Sequence, residues 1–327
     1  CVAKHNKVHS NQAMTPEQFT SWLANVKPMI IVFEACATSS YWNQLALKYG
    51  HDARLISAKL VANVRQNQKT DKNDALAIVQ TTFMPDVVYI GGKTVEQQQL
   101  QSIKRFRELA VKHRDAAQKQ LIALLFELNI KIANRRGGII SAIEGALEDA
   151  SNGLSAECRR AIYLAKEQLK ALFETVKQYN DGIDNSATTH HECKKLIKLE
   201  GVGAMNAINL YIALGCADTG YFSKGKDAAA CIGVTPIQHS SGGTVTLGTI
   251  GKSKNSILRS QLICGATAAV QHAVKRKAKT KKVRWIQGLV ERRGKKCAAA
   301  ALANKTVRTA FAMLKQGTEY KAELLVA

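Results

Sequence analysis

Three acids form the chain's clearest chemical pattern. Glu34 closes the apolar run Ile31-Val32-Phe33, and Asp71 and Asp74 stand in Lys69-Thr70-Asp71-Lys72-Asn73-Asp74-Ala75. Each lies where an apolar run meets a turn or a helix start, so together they read as ligands for a divalent metal at the edge of a sheet. Asp71 and Asp74, three residues apart, share one face of a helix, and Glu34 at a strand end can reach the same point from the sheet. Hard oxygen ligands of this kind suit Mg²⁺ or Mn²⁺, which keep several waters and bridge to phosphate oxygens. A plainer reading stands beside it: Asp71 and Asp74 complement a helix dipole next to the cap residue Thr70, and Glu34 is a surface acid.

A nucleophile is the second chemical element. Ser240 and Ser241 precede a glycine pair in His239-Ser240-Ser241-Gly242-Gly243. A serine in a glycine-flanked turn is accessible to a bulky phosphodiester, and a nearby metal or base can activate its hydroxyl. Read in isolation the segment is a loop, and no acid or histidine partner has readable spacing, although His239 is adjacent.

Charge points to the partner. Lys and Arg number 47 against 25 Asp and Glu, a net charge of +22. That sign over a whole chain favours a polyanion, and nucleic acid is the usual one. Between Lys275 and Lys296 lie eleven basic residues, among them Lys281, Lys282, Arg292 and Arg293, and one acid, Glu291. The segment is either a solvated face or a phosphate-contacting one, and the second is favoured because nothing acidic nearby neutralises it. Leu199-Glu200-Gly201-Val202-Gly203 joins two helical runs and reads as a helix-hairpin-helix, whose turn brings backbone N–H groups to a phosphate, or as an ordinary helix cap.

These residues need elements to position them. With 327 residues, 46% of them hydrophobic, the chain can fill real cores in two or three domains. Residues 1–92 read as a small α/β unit, with strands at Met29–Phe33, Arg54–Ile56 and Val87–Ile90 and helices at Tyr41–Tyr49 and Asp71–Thr81. Residues 93–189 read as a helical arm. It opens without Gly or Pro from Lys93 to Asn134, a stretch that reads as one long helix or a pair and ends at Arg135-Arg136-Gly137-Gly138. Two more follow at about 139–149 and 156–179, and the polar stretch Asp181–Thr189 reads as a linker. Residues 190–327 read as a mostly helical C-terminal domain, with the glycine-rich stretch from His239 to Gly251 leading into helices at about Ser256–Val274 and Ala298–Gln316. No apolar stretch approaches the roughly 20 residues of a membrane span, so a soluble, cytoplasmic protein is expected. The eight cysteines, Cys216 among them, form no Cys-x-x-Cys and read as reduced thiols.

Five segments occur here in the order and spacing seen in one family. They are Val32-Phe33-Glu34-Ala35-Cys36-Ala37-Thr38-Ser39, Lys69 to Ala75, Leu199 to Gly203, Cys231-Ile232-Gly233-Val234-Thr235-Pro236, and His239 to Gly243. In them the whole chain resembles transposases of the IS110 family, and within it the IS1111 subgroup.

The resemblance implies a DNA recombinase with an N-terminal RuvC-like (ribonuclease H-like) domain, a long helical coiled-coil arm and a C-terminal transposase domain. It implies four acids, in the order Asp, Glu, Asp, Asp, that bind Mg²⁺, and a serine that attacks the DNA phosphate to give a covalent phosphoserine intermediate. Glu34, Asp71 and Asp74 match the second to fourth acids. Ser241 matches the serine best through the Gly-Val-Thr-Pro anchor, with Ser240 as the fallback. Some members are guided by a structured noncoding RNA, and the basic charge suits DNA or RNA. Long arms and two DNA duplexes imply a dimer or tetramer.

One departure matters. The family's first Asp belongs to a strand reading roughly Gly-Ile-Asp, upstream of the position matching Cys1, and Asp52 follows Glu34 and cannot replace it topologically. An N-terminally incomplete chain, short of a central strand and one metal ligand, is therefore expected. Two other readings stay open: an inactive nucleic-acid-binding remnant of a transposase, and a RuvC-type Holliday junction nuclease that uses the acids but no serine.

Overall fold

A computed structural model describes residues 1–5, 7–132, 138–215, 222–251, 256–321 and 323. The expected helix stop at Arg135 to Gly137 and the Cys216 thiol lie outside them. Most described residues are helical, and the strands form three two-stranded sheets.

The first part opens with the antiparallel pair β1 (Val2–Lys4) and β2 (Lys7–Ser10), followed by helix α1 (Pro16–Asn25). Thr15 and Gln18 start α1 as a capping box, and Pro16 sits where its missing N–H costs nothing. Strand β3 (Ile30–Glu34), helix α2 (Ser39–Lys48) and strand β4 (Asp52–Ile56) form a parallel β-α-β unit, with Glu34 in register with Ile56. Leu23 of α1 and Ala46 of α2 bury Ile31 from one face. On the other face, helices α3 (Ala58–Val64) and α4 (Asp71–Thr82) bring Val61, Ala77 and Ile78 onto Val32 and Ile56. Cover on both faces is why these strands read as continuous apolar runs.

His51 is buried and ties the layers together, with its Nε2 2.8 Å from the Leu23 carbonyl and its Nδ1 accepting from the Met29 N–H. The expected strand at 87–90 is not formed. Only Ile90 bridges to Leu55, because Asp86 turns the chain at φ 56° and Val88 is exposed.

The arm pairs α5 (Val95–Glu127) with α7 (Ala156–Thr189). The helices run antiparallel: Arg107 donates to Asn180 at 3.0 Å, and the Arg114 guanidinium lies over the Phe173 ring. Helix α6 (Ile139–Glu148) closes the far end by burying Ile139 and Ile143 against Leu121, Leu125 and Leu169. Asp181–Thr189 is helix rather than linker. Its polar sequence hides two buried residues one turn apart, Ile183 and Ala187, which enter the C-terminal core.

That core is helical. It comprises α8 (His191–Leu196), α9 (Ala204–Leu214), α10 (Gly225–Ile232), α11 (Ser256–Val274) and α12 (Lys281–Gln316), interrupted by the antiparallel strands β5 (Pro236–Ser241) and β6 (Thr244–Ile250). Leu100 of α5 also packs into it, so both arm helices are rooted there. Helix α12 starts well before the expected Ala298 and breaks at Gly294, whose φ of 76° is non-helical.

Candidate catalytic and nucleic-acid sites

Glu34 is the last residue of β3 and half-buried; the next N–H, of Ala35, donates to the Ile56 carbonyl at 2.8 Å. Asp71 and Asp74 occupy the first turn of α4, started by Thr70, whose hydroxyl accepts from the Asn73 N–H. Asp74 shares the helix face of Ile78 one turn on, and Glu34 shares the strand face of Val32, which packs with Ile78. Asp74 and Glu34 therefore lie on facing surfaces, whereas Asp71 is exposed. Among the described residues no three His, Cys, Asp or Glu side chains are grouped closely enough to hold a metal ion.

Arg65 is the reason Asp74 is not free. Its Nη1 lies 2.7 Å from Asp74 Oδ1, and the Asp74 side chain is only 20% exposed. The donor chemistry fits a hard divalent ion, but the described arrangement does not gather three acids around one point, and Asp74 is held by Arg65. Nothing in the spacing of nine residues between Arg65 and Asp74 signals the pairing.

The expected serine loop is a β-hairpin. Gly242 and Gly243 adopt φ values of 55° and 79°, and a Cβ on either would meet nothing within 4 Å. Glycine is needed here for its left-handed backbone rather than for space, as a two-residue hairpin turn demands. Ser241 pairs with Thr244 beside this turn and Ser240 with Val245. The two hydroxyls differ. Ser240 Oγ accepts from Gln238 Nε2 at 2.8 Å, while the Ser241 hydroxyl, on the opposite face, makes no hydrogen bond among the described residues and is exposed. His239 shares the face of Ser241.

The two glycines of the helix-hairpin-helix turn do different work. Gly201 has φ 79°, and a Cβ there would lie 2.5 Å from the Gly265 carbonyl oxygen of α11. A Cβ on Gly265 would lie closer still to the Gly201 carbonyl, so the two backbones touch. Asn206 Nδ2 fastens the contact by donating to the carbonyls of Gly201 and Gln261. Gly203 is the N-cap of α9, carries no side-chain cap, and faces open space. Of the pair, Gly203 is the one whose surroundings are open. Gly265 had a faint signal in the sequence, as a glycine inside an otherwise helical run.

Lys282 is also held by a long-range contact. It is only 10% exposed and forms an ion pair with Glu200, while Tyr320 donates its hydroxyl to Glu200 at 2.8 Å and lies under the Lys282 ammonium. Burial pushes the Glu200 carboxyl up, but the Lys282 hydrogen bond and charge outweigh it, and the net shift is downward. Burial, then the bond to Glu200, pushes the Tyr320 phenol up. Lys282 therefore fastens the chain end to the glycine turn. Lys281 forms an exposed pair with Glu323 at 3.2 Å. Arg292 and Arg293 are exposed beside the Gly294 break together with Lys295 and Lys296, and form no ion pair among the described residues.

Family models and relatives match the chain over most of its length. Residues 193–282 match the model of the transposase IS116/IS110/IS902 family, and residues 2–130 match a transposase model of the IS110 DEDD type. The chain is 31% identical over 320 residues to the transposase for insertion sequence element IS1111A of Coxiella burnetii, a match covering 98% of this chain and 87% of that one. It is also 31% identical over 323 residues to a probable family 20 transposase of Pseudomonas aeruginosa, covering 98% and 94%. Over 320 residues it is 27% identical to the transposase for insertion sequence element IS1328 of Yersinia enterocolitica, again covering 98% and 94%. In the described residues no helix is long and apolar enough to cross a membrane. The chain belongs to the IS110 family of insertion-sequence transposases, whose partner is DNA.

Proposed function

We propose that this transposase cuts and rejoins DNA through Ser241, with a RuvC-like unit at residues 1–92, a coiled-coil arm at 93–189 and a transposase domain at 190–327. The observation that supports Ser241 is its position at the tip of an exposed hairpin, with a hydroxyl that has no partner among the described residues, beside a Ser240 that is already bonded. Ser241 Oγ bonds to phosphorus, the sugar oxygen leaves, and the hydroxyl proton ends on that released oxygen. The serine ester keeps the phosphodiester's bond energy, so rejoining needs no further energy source.

Glu34, Asp71 and Asp74 are our proposed ligands for Mg²⁺ or Mn²⁺, which when bound would polarise the scissile phosphate. Without the ion, Arg65 neutralises Asp74. DNA is the substrate, a structured noncoding RNA is the second polyanion the charge accommodates, and the working form is a cytoplasmic dimer or tetramer that holds two duplexes.

The test is denaturing electrophoresis of labelled element-end DNA after incubation with each variant. Wild type should give retarded, protease-sensitive DNA, Ser240→Ala should retain it at least in part, and Ser241→Ala should lose it. Efficient cleavage by Ser241→Ala without an adduct would assign the acids to a water-using nuclease instead.

A further inference from the structure

Below the hairpin lies a cavity of about 1600 Å³ that the serine chemistry does not use. Its floor is one face of α12 after the Gly294 break. Cys297, Ala301, Asn304, Arg308, Ala312 and Lys315 recur there at three- and four-residue spacing, with Ala300 beside them, so the floor is smooth and largely apolar. Trp285 stands in the wall, half-buried, and the hairpin base at Pro236 and Gly248 to Ile250 forms the opposite side.

Five cations ring this floor: Lys224, Lys296, Lys305, Arg308 and Lys315. Among the described residues no acid lines the cavity and none of the five has an acidic partner. Lys305 instead holds its ammonium 4.8 Å from the centre of the Trp285 ring, and Lys315 lies over Phe311 while donating to the Ser223 carbonyl. From Lys296 to Lys315 the floor runs about 28 Å.

We propose that this groove seats a single DNA strand, with at least one base off its stack and against Trp285. The argument is one of matching chemistry. A duplex offers phosphates to a cationic rim but keeps its base faces inside, which would leave the apolar floor wet. An unpaired strand offers both phosphates and flat apolar faces, and stacking on an aromatic ring is how sequence-tolerant strand-binding sites hold bases. Lys305 is placed to exchange the Trp285 ring for a phosphate as the base arrives, because both positions satisfy a cation. The inference rests on the chain being a DNA transposase and not on Ser241 being its nucleophile.

The test uses the full chain without divalent ion, so that strand binding is read apart from adduct formation. A (dT)12 oligonucleotide should quench tryptophan emission in wild type but not in Trp285→Phe, since the other indoles, Trp22 and Trp42, sit in the N-terminal core. By anisotropy with labelled (dT)12, Trp285→Leu should lose roughly tenfold in affinity and Trp285→Phe much less, because phenylalanine still stacks. Lys305→Gln with Arg308→Gln, both exposed and safe for folding, should flatten the salt dependence of strand binding by about 1.4 in slope. Equal or tighter binding of the matching duplex, preference for the (rU)12 strand, an unchanged slope in the double variant, or sedimentation showing a second chain in the groove would each overturn the proposal.

Discussion

Replacing Gly201 by alanine separates packing from phosphate contact in the glycine turn. Two costs follow from the geometry. The φ of 79° is left-handed, which costs an L residue about 1–2 kcal/mol. The new Cβ would also stand 2.5 Å from the Gly265 oxygen, where ordinary contact begins at 3.4 Å, so the start of α9 must back away from α11 by about 1 Å. Overpacking of that kind costs about 1–3 kcal/mol, giving a loss of about 2–5 kcal/mol in all. For a chain of this size the melting temperature should fall by about 3–7 °C in a circular dichroism melt. Gly203→Ala, at an ordinary backbone angle with open space around it, should change melting by no more than about 2 °C while weakening DNA binding if α9 receives a phosphate. The reasoning fails if Gly201→Ala melts with wild type, or if Gly203→Ala is the more destabilising of the two.

Other outcomes follow from the ion pairs. Arg65→Gln should tighten Mn²⁺ binding in calorimetry about fivefold, because it removes a competitor worth on the order of 1 kcal/mol at Asp74, whereas Asp74→Asn should weaken it; equal affinities would remove Arg65 from the site. Glu200→Gln leaves Lys282 partly buried without its counter-ion. It should cost about 2–3 kcal/mol at neutral pH, less than for a fully buried pair because Glu200 keeps 21% of its surface. Since folding lowers the Glu200 pKa, that gap should be full above the ordinary carboxylate pKa of about 4.3 and close as pH falls below it; a gap independent of pH would show that the charge is not what holds Lys282. Arg292→Ala with Arg293→Ala should reduce the salt slope for duplex DNA by about 1.8, while Lys282→Ala should lower the melting temperature and leave the slope alone.

Periodicity carried most of the fold. The two-sided burial of β3 and β4, the start of α4 at Asp71, and the long α5 and α7 all stand in the sequence as apolar spacing and cap residues. Where local polarity misled, a distant partner had decided the outcome: Asp181–Thr189 continues α7 because Ile183 and Ala187 meet a core built by residues far along the chain. Ser-Ser-Gly-Gly followed by Thr-Val-Thr-Leu is a hairpin signal that a reading fixed on the glycines takes for a loop. The candidate site was legible in its residue types only. Which cation sits on Asp74, which glycine touches a helix and which lysine is already paired depend on contacts across long sequence separations, and charge counting treats all lysines alike.

The hairpin that carries Ser241 has no packed face. Its base is pinned, with the Gly251 N–H donating to the Thr235 carbonyl and Arg259 holding the Gly251 carbonyl at 2.6 Å, but Val245 and Leu247 near the tip are 65% and 61% exposed. A two-stranded ribbon without a layer beneath it is marginal in water, so its ladder opens far more readily than the helices that anchor it. Its amide protons should be among the first to exchange in free protein and become protected in the complex. The entropy of ordering that ribbon is then charged to docking, and under the serine mechanism we propose, Ser241 gains a fixed direction only when DNA supplies the missing layer. Under that proposal a stray phosphodiester meets a hydroxyl that has no such direction, which would restrain a serine able to break any strand it touches.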